Sequence, residues 1–428
     1  MEARATEPLS MSALAPVKVR LDALDIVRGI ALLGILLMNI ASMGAPLKMG
    51  SYAPLISWTP TDQAIWWIHY VAAAGTMRGL LSLLFGAGFI LMTTGKGDGV
   101  EVADVFYRRT IWLVIFGIIH GYVLLWPGDI LLIYGAAALF LFPWRAWSPA
   151  RLTKAAAMAL LVIVLIASAR YWNGLQLSHE AGAARARQAS GAALTEAQKE
   201  AVDKWEKREN GWKPNPEAIR KQTEARLGGY AQNWRVLYDW ANELNEPPEF
   251  LYWTLDALAM MFLGAALVKW RVIQGDRTSR FYMLLALCGY AIGIPLRIAE
   301  AWPVWVSEFR LPLVWAPITM QLSRTAVTLG HLGLILLVAG TGFGRRLLHP
   351  FAAVGRLALS NYIAQTLLCQ WLIFPGFGLG YFGSLGWTGL WTVVFLVNSV
   401  LMIASVIYIR RYQIGPLEWL LRRLSYTA

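Results

Sequence analysis

The sequence predicts an all-α membrane protein, a polytopic transmembrane helical bundle of about ten spans with a small helical extracytoplasmic insert. Three observations predict it. Hydrophobic residues fill 57% of the 428 positions and charged residues only 15%, against about 45–50% and about 25% in soluble domains. The mean hydropathy is +0.48, and the apolar residues gather in blocks near the roughly 20 residues that cross a hydrocarbon core. Lys and Arg cluster in alternate short loops, as expected when one side of a membrane is kept positive.

The spans are expected at about 26–45, 75–94, 110–126, 129–143, 152–171, 250–269, 280–299, 324–342, 356–375 and 389–409. Residues 1–25 form a polar tail and the start of the first span, which is too long for the apolar core of a signal peptide and is expected to stay uncleaved. The first five spans make up residues 26–172. The string GIIHGYVLLWPGDIL places a Trp126-Pro127-Gly128 turn between the third and fourth. The stretch Asp62 to Ala74, with Trp66 and Trp67, is either interfacial or an early turn of the second span; Trp302 to Met320, rich in Trp and Pro, is a candidate re-entrant segment. Residues 173–248 break the pattern with mixed charge at helical spacing, and suit either a lid or a solvated spacer. Residues 249–428 supply about five more spans and a basic tail.

With the N-terminus cytoplasmic, Lys18 and Arg20, Lys96 with Arg108 and Arg109, Arg145 with Arg151 and Lys154, Lys269 with Arg271, Arg345 with Arg346, and Arg410 with Arg411 all fall inside. Lys48 and Arg310 are the sparse exceptions in the opposite short loops. Ten spans return the C-terminus to the cytoplasm and leave 173–248 outside, consistent with a multi-pass protein of the cell (inner or plasma) membrane. The net charge of +12 then belongs to topology and lipid headgroups rather than to nucleic acid, for which no recognition motif is present. Cys288 and Cys369 lie in apolar runs without a CxxC partner, so no metal or redox role is expected.

Ionisable groups at membrane depth are costly, roughly 2.5–3.5 kcal/mol each on insertion scales, and so point to function. Asp25 and Arg28 share a face at the start of the first span, where an ion pair or donor binding would place them. Asn39 lies near the outer end of the same span, and His120 and Asp129 flank the Trp-Pro-Gly turn. A carboxylate beside an imidazole fixes its tautomer and makes an oriented base. His69 either joins the outer cluster of Asn39, His120 and Asp129 or, beside Trp67 and Tyr70, is an interfacial histidine. Arg78 opens the second span, where Gly86 and Gly88 permit close packing. Arg297, Glu300, Arg324 and His331 mark later spans. Asn361 and Gln365 lie in GRLALSNYIAQTLLCQ, where helix-to-helix hydrogen bonding competes with substrate binding. No Walker loop, HExxH or GxSxG motif is present.

The strings RLDALDIVRGIALLGILLMNI, RGLLSLLFGAGF, RRTIWLVIFGIIHGYVLLWPGDILLIYG, GRLALSNYIAQTLL and RRYQIGPLEWLLRRLSY, in order from Arg20 to Tyr426, resemble the YeiB-like bacterial membrane proteins, whose C-terminal half carries domain of unknown function 418. That family is grouped with transmembrane acyltransferases of the type 3 and heparan glucosaminide acetyltransferase kinds. The resemblance implies transfer of an acyl group from an acyl-CoA co-substrate to a sugar, lipid or small-molecule acceptor. The catalytic histidine of the type 3 proteins is matched here by Asn39, which cannot act as a base, and the following loop holds no histidine. Thr76 stands where YeiB-like proteins carry a Lys, while Arg78 matches. On this footing His120 is the expected base, Asp129 its orienter and Asn39 the holder of the thioester carbonyl. Asp25, Arg28, Arg78, Asn361 and Gln365 are the expected substrate- or donor-binding residues. A transporter or exporter of a small molecule or lipid intermediate, and a non-enzymatic membrane scaffold, are the alternatives.

Overall fold

A computed structural model describes residues 22–46, 57–94, 99–212, 215–309 and 311–426. Lys18, Arg20, Lys48, Lys96 and Arg310, used above to orient the chain, lie outside the described residues. The described chain is helical throughout, without a strand.

Seven helices among the described residues are long and apolar enough to cross a membrane. They are α1 (Asp22–Gly44), the run from α2 (Pro60–Ile68) into α3 (Thr76–Thr93), α6 (Pro149–Ala189), α10 (Pro247–Lys269), α11 (Ser279–Val306), α12 (Ala316–Ala339) and α15 (Trp387–Arg411). The other three expected spans take different forms. Residues 110–126 fall on α4 (Val100–Tyr122), which carries Arg108 and Arg109 within its length. Residues 129–143 shrink to the nine-residue α5 (Leu131–Leu139), about 14 Å long and half of what a bilayer needs. The Trp126-Pro127-Gly128 turn cuts it on one side and a 3-10 turn at Phe142–Trp144 on the other. Residues 356–375 are divided between the end of α13 (Gly342–Arg356), α14 (Ala358–Thr366) and a π-helical turn, Leu367–Ile373.

The Asp62–Ala74 stretch is α2 and a π-helical turn, His69–Ala73, leading into α3. Within Trp302–Met320, α11 runs on to Val306 and α12 starts at Ala316.

Close helix crossings set the bundle. A Cβ on Gly86 of α3 would lie 2.0 Å from the Met261 carbonyl oxygen, and one on Gly264 of α10 would lie 1.9 Å from that of Leu83. Two glycines facing each other therefore let α3 and α10 touch backbone to backbone. Gly88, expected to share this role, has open space around it.

The boundary at 173 falls inside α6, a continuous helix of 41 residues that leaves the bundle and turns back through α7 (Glu196–Trp212), α8 (Pro216–Arg226) and α9 (Tyr230–Asn245). This insert is docked on the bundle. The buried Arg226 side chain donates to Asn233 Oδ1 (2.8 Å), Met43 O (3.4 Å) and Gln370 Oε1, and stacks over Phe382. Tyr230 Oη and Trp234 Nε1 donate to the Val123 and Tyr122 carbonyls at the end of α4. At the opposite end of the bundle, Lys269 Nζ caps the Arg145 and Trp147 carbonyls.

Candidate functional site

A cavity of about 260 Å³ opens at the insert end of the bundle, walled by α1, the π-helical turn and α3, the α4–α5 turn, α9, α10 and α12. Each wall offers a polar group because of a local event in the chain.

On α1, Asn39 sits four turns beyond the start, 7% exposed, with its Nδ2 lacking a hydrogen-bond partner. A buried amide donor left unsatisfied costs about 1–3 kcal/mol, so its retention in the cavity wall asks for a ligand or water.

Between α4 and α5 the chain reverses through Leu125, which takes a positive φ of 65°. Trp126 N–H returns to the His120 carbonyl (3.1 Å). The turn delivers Asp129 to the cavity, and its Oδ2 accepts the Leu132 N–H (2.7 Å) at the first residues of α5. Its Oδ1 lies 2.6 Å from His120 Nδ1 and 3.4 Å from the Tyr362 hydroxyl. His120 itself is fully buried and does not line the cavity. Its Nε2 is taken by Thr366 Oγ1 at 2.7 Å, and its ring meets Tyr362 edge-on. Asp129 is thus a lining residue of the cavity and His120 stands behind it.

The π-helical turn brings His69 to the wall, 3% exposed, against the Trp387 ring and with Nδ1 unpartnered. Gly75 follows at φ +80°, a conformation that suits glycine, and precedes α3 as its N-cap without a side-chain cap. One turn on, Arg78 reaches the cavity with its guanidinium 2.5 Å from Asp256 of α10 and 4.4 Å over the Trp253 ring. Arg324 of α12 and Asn245 of α9 complete the polar lining.

Other expected residues lie elsewhere. Asp25 and Arg28 pair at 3.1 Å, but eleven residues on α1 separate Arg28 from Asn39, about 16 Å along the axis. Asn361 Nδ2 donates to Ser405 Oγ (2.9 Å) and the Val354 carbonyl. Gln365 Nε2 donates to the Leu32 carbonyl (3.2 Å). Both amides tie helices together and neither lines the cavity. His69, Arg324, Asp256 and Asn245 were not among the expected site residues. Asp256 carried a usable signal, an acid alone in the apolar string LDALAMMF. Among the described residues, no three His, Cys, Asp or Glu side chains converge as metal ligands would.

Residues 267–428 match a family model described as "Protein of unknown function (DUF418)". Over nearly the full chain, the sequence is 27% identical to the uncharacterized protein YxaH of Bacillus subtilis (strain 168), covering 98% of both chains. It is 29% identical to the uncharacterized protein YeiB of Escherichia coli (strain K12), covering 95% of this chain and 96% of that one. These matches agree with the helical bundle and its apolar spans: residues 267–428 are similar to the DUF418 family, and the chain is similar over nearly its full length to the uncharacterized proteins YxaH and YeiB.

Proposed function

We propose that this protein is a membrane-embedded acyltransferase that holds its acceptor in the cavity beside Asp129. One observation carries the proposal: a carboxylate backed by a fully buried imidazole lines the same cavity as a residue with an unpartnered amide donor. In the proposed step, the acceptor's hydroxyl or amine attacks the thioester carbonyl of an acyl-CoA co-substrate. The new C–O or C–N bond forms, the C–S bond breaks, and the acceptor's proton passes to Asp129 and on to the departing thiolate. His120 and the Leu132 N–H hold the carboxylate in place. Asn39 Nδ2 donates to the carbonyl oxygen as it gains charge, a contribution of about 2.7–4 kcal/mol for a well-placed donor.

In this proposal both termini and the basic loops are cytoplasmic, the insert faces outward, and the protein resides in the cell membrane among its lipids. Arg28, part-exposed at the end remote from the cavity, is a contact for the donor's phosphates. The donor's extended thiol-bearing arm would bridge the roughly 16 Å along α1. The acceptor is a sugar, a lipid or another small molecule.

The test is acyl transfer by the purified full chain in vesicles supplied with acyl-CoA and membrane-extract acceptors. Asp129→Asn is expected to reduce transfer by 10²-fold or more, in the range of about 10²–10⁴ typical of a lost general base. Full transfer by a folded Asp129→Asn protein overturns the assignment.

A transporter is the second reading, favoured by the two π-helical turns at 69–73 and 367–373, since broken helices at a central site are a transporter device. Substrate flux across vesicles without acyl turnover would select it.

A further inference from the structure

We infer that α9, the last helix of the insert, is an interfacial helix whose tyrosine and tryptophan side rests on lipid at the membrane surface. The inference goes beyond the acyl-transfer proposal and does not depend on the chemistry of the cavity.

Three stripes run along α9 at four-residue spacing. Asn233, Leu237 and Ala241 are buried. Tyr230, Trp234 and Tyr238 form a second stripe, and each is more than a third exposed. Arg235, Asp239 and Glu243 form the third and are exposed. A helix docked on a protein in water needs one buried stripe and can be polar everywhere else. A buried, an aromatic and a charged stripe together suit a helix that meets protein, lipid and water at once. On α7 and α8 the exposed surface carries ion pairs instead, such as Lys199 with Glu196 and Lys221 with Glu217, which belong in water.

The end of α4 points the same way. A helix leaves its last carbonyls without intrahelical donors, and water supplies them where it has access. Here three consecutive carbonyls are each met by an aromatic side chain at 3.0 Å. Trp234 Nε1 donates to that of Tyr122, Tyr230 Oη to that of Val123 and Trp371 Nε1 to that of Leu124. The first two bonds lie at the molecular surface, where water would serve the same carbonyls; beside hydrocarbon nothing else would. Rings with a polar tip and an apolar body are the side chains that gather at headgroup level.

The aromatic surface is continuous with an apolar one. Tyr238 stacks on Trp234 and meets Tyr122 edge-on, while Tyr230 packs against Trp371 and Phe377 beyond the second π-helical turn. Back along α4, Ile118, Ile119 and Val123 are exposed, as on a lipid-facing helix. The charged stripe holds one basic and two acidic residues, so it asks for no anionic headgroup, and phosphatidylcholine is a sufficient partner.

The test places the full chain at one copy per phosphatidylcholine nanodisc, with Cys288→Ser removing the exposed thiol and the buried Cys369 kept. Single cysteines are added as Tyr238→Cys and as Ala231→Cys, an exposed position two turns earlier on the same side. Asp239→Cys and Glu243→Cys mark the charged stripe. A water-soluble maleimide should react about tenfold or more slowly at 231 and 238 than at 239 and 243, because the reactive thiolate is disfavoured away from water. A fluorophore attached at Ala231→Cys should lose emission in phosphatidylcholine brominated near the glycerol end of its chains, and one at Glu243→Cys should not. Equal maleimide rates at all positions overturn the inference. Slow labelling at 231 without quenching by brominated lipid also overturns it, and so does slow labelling that appears only in discs holding two copies, which would make the face a protein interface. If Tyr238→Cys does not fold, Ala231→Cys, which removes no ring, decides the question.

Discussion

Arg226 pins the insert to the bundle, and its removal is the most direct way to test whether the insert is a roof over the cavity. The side chain is 1% exposed, and it donates to neutral acceptors: Asn233 Oδ1, Gln370 Oε1 and the Met43 carbonyl. Its own carbonyl accepts the Gly376 N–H (3.1 Å), so α8 is stitched to the chain beyond the second π-helical turn from both backbone and side chain. Arg226→Ala strands two buried amide oxygens at about 1–3 kcal/mol each and leaves a hole beside Phe382. Burying an arginine among neutral groups is itself costly, and losing that cost offsets part of the damage. The net loss of docking free energy is about 2–4 kcal/mol. Hydrogen exchange reads this directly: protection in α8 and α9 should drop by about thirtyfold or more, while α11 and α15 keep theirs. Arg226→Met, which refills the hole, should lose less. Because Leu244 and Asn245 at the end of α9 line the cavity, opening the insert should also enlarge access to it. Unchanged exchange through α8 and α9 in Arg226→Ala would refute the idea that this residue docks the insert.

Gly264→Val drives a side chain into the Leu83 carbonyl; an unfolding temperature lowered by the equivalent of about 1–3 kcal/mol or more is expected, with the Arg78–Asp256 pair on the same helices loosened. Thr366→Val removes the partner of His120 Nε2. It should cost about 1–3 kcal/mol in stability and reduce acyl transfer far less than Asp129→Asn, since the hydroxyl reaches the cavity only through two other groups. Gln365→Leu and Asn361→Leu should each lose about 1 kcal/mol of thermal stability with no change in the dependence of transfer on donor concentration; a raised KM for the donor would return them to the binding residues.

Hydropathy was enough to find α1, α10, α12 and α15, because a helix that crosses hydrocarbon is apolar along its length whether it is largely outward-facing, as α15 is, or packed inside the bundle, as α1 and α10 are. It misjudged α5, where the fourth expected span is apolar yet too short. There the Trp126-Pro127-Gly128 turn and Pro143 set the ends, and a run of apolar residues looks the same whether it crosses lipid or fills a gap between helices. His120 and Asp129 were legible as neighbours since nine residues and a turn join them. Which of the two faces open space was not, because that depends on Thr366, 246 residues further on. The Arg78–Asp256 pair spans 178 residues and has no local signature on either side. Asn361 and Gln365 show the converse difficulty: an amide in an apolar helix reads identically whether it meets a ligand or the carbonyl of the next helix.

The cavity exists because the helices around it are interrupted there, and the polar residues flagged at membrane depth explain how those interruptions survive. A π-helical turn followed by a left-handed glycine frees backbone carbonyls that hydrocarbon cannot solvate. Around residues 69–75, those of Tyr70, Ala72, Ala73 and Ala74 are met by side chains. Arg297 donates to the Tyr70 and Ala74 carbonyls, His331 Nε2 lies 2.9 Å from that of Ala72, and Thr76 Oγ1 donates to those of Ala72 and Ala73. Arg297 is in turn fully buried against Glu300 (3.2 Å), whose other oxygen accepts from Thr319. At the α4–α5 turn, Trp371 Nε1 donates to the Leu124 carbonyl. Arg297, Glu300 and His331 are therefore engaged in holding a broken backbone open, and none of them lines the cavity. Asn39 and Arg78 have capacity left over and line the space so created, beside an Asp129 carboxylate that His120 and the Leu132 N–H hold in place. Sorting intramembrane polar residues by whether their hydrogen-bonding capacity is already spent thus separates the scaffold of this site from its working face.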